Sequence, residues 1–284
     1  MKRFFSIVLI CLMFLLPLRA KAAAGQEKEK KPAFVKVPVI MYHSLHNRPA
    51  NQWTITPEAF ANDMRYLAQN GYHAVNSTDL ILFVREGTPL PEKPVMLTFD
   101  DGYYNNMLYA LPLLEEYDMK IVLSVIGEHI EIWSKAEGEI NITGGHLTWK
   151  QITQAHNTGR VEISNHTNAL HVNKNGRNGC MRKKGENLQS YCQMLMQDVG
   201  QLQQNLLDNC GITPVCFAYP FGSKCPEALD VLKEMGFQVT LSCHEGNNTI
   251  TCGNPDCLFD MRRVNRTPER PIRSILQKFE EIDA

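Results

Sequence analysis

From Val37 onward, short apolar and β-branched runs alternate with longer stretches whose apolar positions recur every three or four residues. "VPVIMYH" precedes "TPEAFANDMRYLAQNG", where Thr56 is an N-cap and Pro57 fits the first helical position. Phe60, Met64 and Leu67 share one face of that helix, and Gly71 ends it. "KPVMLTF" leads to a helix around Leu108–Tyr117, and "KIVLSVIG" to one near Trp149–His156. "RVEIS" leads to a long helix with Leu188, Cys192, Leu195, Val199, Leu202 and Leu206 as a core-facing stripe. "PVCFAYP", the helix "PEALDVLKEMG", the strand "FQVTLSC", the short run "MRRVN" and a helix from about Pro271 complete the series. Repeated strand–helix alternation predicts an α/β domain with a parallel sheet and helices outside it, either a barrel or an open doubly wound sheet.

The polar residues follow the strands. "DDG" comes after "VMLTF", a histidine pair after "VEIS", "YPFG" after "VCFA", and His244 after "VTLSC". All four sit at carboxyl ends of predicted strands, the rim on which the active sites of parallel barrels lie. Packing alone does not explain four strands delivering polar groups to one rim.

Composition narrows the context. Lys2 and Arg3 precede an apolar run from Phe4 to Leu18, and small residues follow at Ala20 and Ala22, so residues 1–22 read as an export signal. The run, broken by Pro17, falls short of the ~20 residues of a membrane-spanning helix, so no stable membrane insertion is expected after cleavage. Residues 23–36 are charged and small, as a linker would be, which assigns 37–284 to a single domain. Losing Lys2, Arg3, Arg19 and Lys21 takes the formal net charge from −1 to about −5, which gives no electrostatic case for nucleic acid. Eight of the nine cysteines lie beyond the signal, between Cys180 and Cys257. In an exported chain this favours disulfides, with Cys252–Cys257 and Cys180–Cys192 as plausible loops.

Asp100 and Asp101 form an ordinary Asp-rich turn unless something nearby needs one acid as ligand and another as base. His166 and His171, in "NHTNALH", supply that need. Their five-residue spacing puts the rings about 140° apart on a helix and on opposite faces of a strand, so sharing a metal requires the chain to turn between them. One carboxylate and two imidazoles suit a divalent metal, zinc above all, with a position left for water. The other carboxylate could take a proton from that water.

"TFDDG", "NHTNALH" and "FAYPFG", in this order, resemble the first three motifs of the polysaccharide deacetylases, the NodB-homology enzymes of carbohydrate esterase family 4. "VPVIMYHSL" and "RRVNR" are similar to their flanking segments. The five-residue histidine spacing resembles the branch that contains poly-N-acetylglucosamine deacetylases. The resemblance implies a distorted (β/α)7-like barrel and metal-dependent removal of acetyl groups from an N-acetylated cell-wall or matrix polysaccharide. It assigns Asp100 as general base and Asp101, His166 and His171 as metal ligands. It also gives the backbone amide of Phe221 an oxyanion-stabilising role and suggests His244 as general acid. Tyr219 and Pro220 of the "YPFG" turn, with His43 and Tyr103, are candidate substrate contacts.

Many relatives carry an Arg two residues before the motif's Pro, where it orients the catalytic Asp. This chain has Ala218 there, and Arg262 or Arg263 could substitute. Two other readings compete: a catalytically inactive relative that binds glycan, and a deacetylase of a small acetylated molecule. The basic segment Asn173–Asn187 reads as a solvated insertion.

Overall fold

The computed structural model describes residues 33–48, 51–136 and 139–283. The expected export signal and most of the expected linker lie outside them. The linker's end is corrected: Phe34–Val37 is already a strand, paired antiparallel with Asn248–Thr251, so the folded part includes residues 34–36.

Seven parallel strands carry the fold: β1 (Val39–Tyr42), β2 (Pro94–Phe99), β3 (Ile121–Val125), β4 (Val161–Asn165), β5 (Cys216–Ala218), β6 (Val239–Leu241) and β7 (Val264–Asn265). Their order is β6-β5-β4-β3-β2-β1-β7, and a short strand at His73–Val75 pairs with the first half of β2. Met261, just before β7, bridges to Leu241 of β6, with its amide donating to Thr240 and its carbonyl accepting from Ser242. One segment thus touches both ends of the sheet and closes it into a distorted barrel, as expected.

Eight helices lie among the described residues: α1 (Pro57–Gln69), α2 (Ser77–Glu86), α3 (Leu111–Glu116), α4 (Gly127–Lys135), α5 (Trp149–Asn157), α6 (Leu188–Cys210), α7 (Pro226–Glu234) and α8 (Ile272–Asp283). Thr56 caps α1 as its sequence implies, with its hydroxyl accepting from the Ala59 amide. Two expectations are refined. The helix expected around Leu108–Tyr117 starts with a π turn at Asn106–Ala110, and α4 intervenes before α5. In α6 the buried stripe begins at Tyr191, whose hydroxyl donates to the Cys180 carbonyl at 2.6 Å, while Leu188 is exposed.

Strand parity decides what faces where. Ile40, Tyr42, Leu97, Phe99, Leu123, Val125 and Ile163 point outward and pack with α1, α3, α5 and α8. Val39, Met96, Val122, Cys216, Ala218, Val239 and Leu241 have the opposite parity and pack with one another and with α2 residues Leu80, Phe83 and Val84. Phe217 and Tyr219 join α6 and α7 in a third cluster. Around β7 two arginines diverge. Arg266 forms a buried ion pair with Asp63 of α1 (Nε–Oδ2 2.7 Å), and Arg263 turns to the other side.

The disulfide expectation is not met: Cys180, Cys192, Cys210, Cys216, Cys225, Cys243, Cys252 and Cys257 are all unpaired. Several have other partners instead, for the Cys225 thiol contacts the Tyr191 hydroxyl and the Cys257 sulfur accepts from the Thr251 amide. No helix among the described residues is long and apolar enough to cross a membrane.

Candidate active site

Asp100 and Asp101 follow β2 directly. On a continuing strand they would face opposite sides, but Asp101 adopts φ 73° and the chain turns at once. Gly102, at φ 70°, completes the turn. A side chain there would start 3.0 Å from Val125 Cγ1, so the two strand ends approach closely because this residue is glycine.

The histidine loop turns as its spacing requires. Asn165 ends β4 and its side-chain oxygen accepts from the Thr167 amide at 2.8 Å. Thr167 takes φ 72°, unusual for a β-branched residue, and its carbonyl accepts from Gly127. The amides of Asn168 and Ala169 each donate to one carboxylate oxygen of Asp198 on α6, both at 2.9 Å. Leu170 is buried with Tyr191 and Leu195. Strand end, strained residue, carboxylate clamp and buried leucine together bring His171 back beside His166, with ring centroids 5.0 Å apart.

Both imidazoles meet Asp101. Its Oδ1 lies 3.6 Å from His166 Nε2 and 3.3 Å from His171 Nε2, and one donor atom from each residue lies within 4.8 Å of the others. That carboxylate oxygen is buried without a hydrogen-bond partner. The His166 Nδ1–H donates to the Ala218 carbonyl at 2.7 Å, which directs the Nε2 lone pair at the cluster. Burial depresses the imidazole pKa values, that of His166 to about 3, so both rings are in the neutral form a metal ligand needs. Burial, reinforced by the neighbouring Asp100 charge, pushes Asp101 up to about 6. An orphaned carboxylate oxygen facing two neutral imidazole nitrogens fits a divalent cation.

Asp100 lies in a different field. Arg263 is fully buried and meets it at two points, Nη1–Oδ1 and Nη2–Oδ2, both 2.8 Å. The guanidinium is fixed in turn by Nε donating to the Ser242 carbonyl at 2.7 Å and by Nη1 reaching Thr98 Oγ1 at 3.2 Å. Burial alone would raise the Asp100 pKa, but Arg263 outweighs it and holds the carboxyl well below the usual range. Arg263 therefore fills the place that Ala218 leaves vacant. Arg262 is exposed and bonds to Asn248 through its backbone.

Asp100, Asp101, His166 and His171 line a cavity of about 410 Å³ with His43, Tyr103, Trp53, Phe221 and Cys243. The His43 ring meets that of Trp53 at a tilt, with centroids 4.7 Å apart, and its Nδ1 is buried without a partner. Tyr103 bonds to the Asp101 carboxylate and stacks on His146, whose Nδ1 lies 2.9 Å from the Asp101 carbonyl. Phe221 is 48% exposed, with its ring 4.4 Å from that of His171. Its φ of 59° belongs to a turn closed by the Gly222 and Ser223 amides, and its own amide takes part in neither bond.

Three expected site residues fall elsewhere. His244 is exposed and outside the cavity lining, because the chain turns after β6 and its neighbour Cys243 faces the cavity instead. Tyr219 shares parity with Phe217 and packs outward on α6 and α7 residues. Pro220 is buried within its turn and does not line the cavity. Sequence reasoning missed Trp53, Asn51 and Thr143, which arrive on loops without a motif of their own, and the tilted contact of His129 on α4 with His146.

The family model described as polysaccharide deacetylase matches residues 87–240, more than half of the chain. The chain belongs to the polysaccharide deacetylase family. Members of that family are hydrolases acting on carbon–nitrogen bonds. A poly-beta-1,6-N-acetyl-D-glucosamine N-deacetylase of Staphylococcus epidermidis is 23% identical, over 86% of this chain and 88% of that protein. Another of the same name, from Escherichia coli O157:H7, is 23% identical over 82% of this chain, which spans only 37% of that longer relative. A de-N-acetylase from Aggregatibacter actinomycetemcomitans superposes with a TM-score of 0.73 at 22% identity, covering 86% of this chain and 99% of that one, and so shares the barrel fold.

Proposed function

We propose that the chain removes acetyl groups from an N-acetylglucosamine-containing polysaccharide, using a divalent metal held by Asp101, His166 and His171. The observation that carries this reading is the convergence of those three ligand atoms beside a separately charged Asp100. A metal bound there, zinc by the character of the ligand set, would supply the Lewis acidity that acidifies water and polarises the acetamide carbonyl.

The chain's own residues supply the rest. Asp100, kept ionised by Arg263, accepts the proton of the attacking water. The amide of Phe221, which closes neither bond of its turn, would donate to the developing oxyanion, and the exposed ring beside it would wall the acetyl group. With His244 outside the cavity, the proton for the departing amine falls to His43, which lines the cavity and has an unpartnered nitrogen. Trp53 and Tyr103 offer aromatic faces to sugar rings.

The names of the relatives support poly-N-acetylglucosamine as the polymer, and the leader-like first residues support an exported protein that meets it outside the cell. A purely glycan-binding role would not require a base beside a full ligand set. Acetate release from N-acetylglucosamine polymer tests the reading. Asp100→Asn and His43→Ala should each lose about 10²-fold or more. Unchanged release from Asp100→Asn would overturn the mechanism.

A further inference from the structure

Asp101 turns its carboxylate toward the two imidazoles through a backbone conformation, φ 73°, that a residue with a side chain keeps only when its surroundings hold it there. Residues 145–147, just before α5, do the holding. The Tyr104 amide donates to the Gly145 carbonyl at 2.8 Å and the Leu147 amide to the Gly102 carbonyl at 2.9 Å, so Tyr103 and His146 face each other in an antiparallel bridge. His146 adds a side-chain bond to this clamp, for its Nδ1 lies 2.9 Å from the Asp101 carbonyl oxygen. A carbonyl can only accept, so Nδ1 carries the proton. Burial and the neighbouring His129 lower the pKa of the His146 ring to about 4, which keeps it neutral.

The same ring reaches the support of the histidine loop. It stacks on Tyr103, with centroids 4.7 Å apart and 26° between the planes, and meets His129 of α4 at a tilt, with centroids 4.2 Å apart. The first residues of α4 in turn carry that loop, because the Gly127 and Glu128 amides donate to the carbonyls of Thr167 and Asn168, at 3.1 and 2.8 Å. His146 therefore stands between the turn that presents Asp101 and the helix that supports the chain between His166 and His171. We infer that His146 is a positioning residue, which joins these two loops so that the Asp101 carboxylate and the two imidazole nitrogens keep the spacing a divalent cation requires. The ring offers no ligand atom to the cluster and acts through the Asp101 backbone and α4. The inference rests on the metal-site reading and deepens it, for it names a residue outside the ligand set on which metal affinity depends.

The test titrates the full chain with Zn²⁺ by calorimetry, with His166→Ala as the measure of zinc bound elsewhere. His146→Ala should weaken zinc binding about 10–100-fold. His146→Asn, whose amide N–H can stand where the Nδ1–H does, should recover most of that loss, whereas His146→Phe, which keeps a ring but no donor, should stay near the Ala variant. Acetate release from N-acetylglucosamine oligomer should fall with zinc occupancy in the weakened variants and return at saturating zinc, with KM within about twofold throughout. Equal weakening of the Ala and Asn variants would reduce His146 to a packing residue and overturn the inference. A raised KM with zinc affinity unchanged would make it a sugar contact and overturn it too. Zinc affinity equal in every His146 variant would reject the positioning role and leave the metal site standing. An unaltered chain that binds zinc no better than His166→Ala would reject the metal site itself, and the inference with it.

Discussion

Arg263 grips Asp100 through two parallel 2.8 Å hydrogen bonds, with both side chains closed off from solvent. The two residues are 163 positions apart in sequence, and β7 brings them together by closing the barrel. The pair links fold and site, because the segment that completes the ring also sets the charge of Asp100.

Removing the guanidinium leaves a buried carboxylate with no counter-charge. Arg263→Met should cost about 3–5 kcal/mol of stability, read from urea unfolding at neutral pH. Arg263→Lys should restore part of that, because an ammonium keeps the charge but not the two-point geometry. A loss below about 1 kcal/mol in the Met variant would mean the pair is not the anchor described.

Asp198 is not a ligand, yet it holds the backbone that carries His171. Asp198→Ala frees the Asn168 and Ala169 amides and should weaken divalent-metal binding about 10–100-fold, as other outer partners of metal ligands do. Metal titration followed by calorimetry reads this directly. Affinity equal to that of the unaltered protein would show that the loop holds its shape without the clamp.

On the proposed mechanism His43, which lines the cavity, takes the role that motif position alone would give His244. His244→Ala should leave acetate release within about twofold, while His43→Ala falls about 10²-fold or more. A large loss in the first variant with a small one in the second would restore the motif-based assignment.

Much of this was legible in the chain because it is written locally. The apolar runs and the three- and four-residue stripes announce the strands and helices, and "DDG" and "NHTNALH" lie where strands must end. The turn in the histidine loop followed from the five-residue gap, and Thr167 and Leu170 make it. Sequence left open whether Arg262 or Arg263 replaces the missing arginine, because the answer depends on which side of β7 faces the barrel. Tyr219 was misplaced for a related reason: its strand parity sends it to α6 and α7. Trp53 had no signal, for it reaches the cavity on a loop that no local pattern encodes. The even number of cysteines fits a disulfide framework, whereas the structure holds all eight described cysteines as free thiols, with Cys180, Cys192 and Cys225 gathered in the cluster around Tyr191.

The account's central claim is that Asp101, His166 and His171 hold a divalent metal on which deacetylation depends. The most direct measurement is acetate release from N-acetylglucosamine polymer by chelator-stripped protein during titration with Zn²⁺. Release should be absent at the start, rise to a plateau near one equivalent, and stay absent in His166→Ala throughout. Release that survives complete stripping, or that returns equally in His166→Ala, would contradict it.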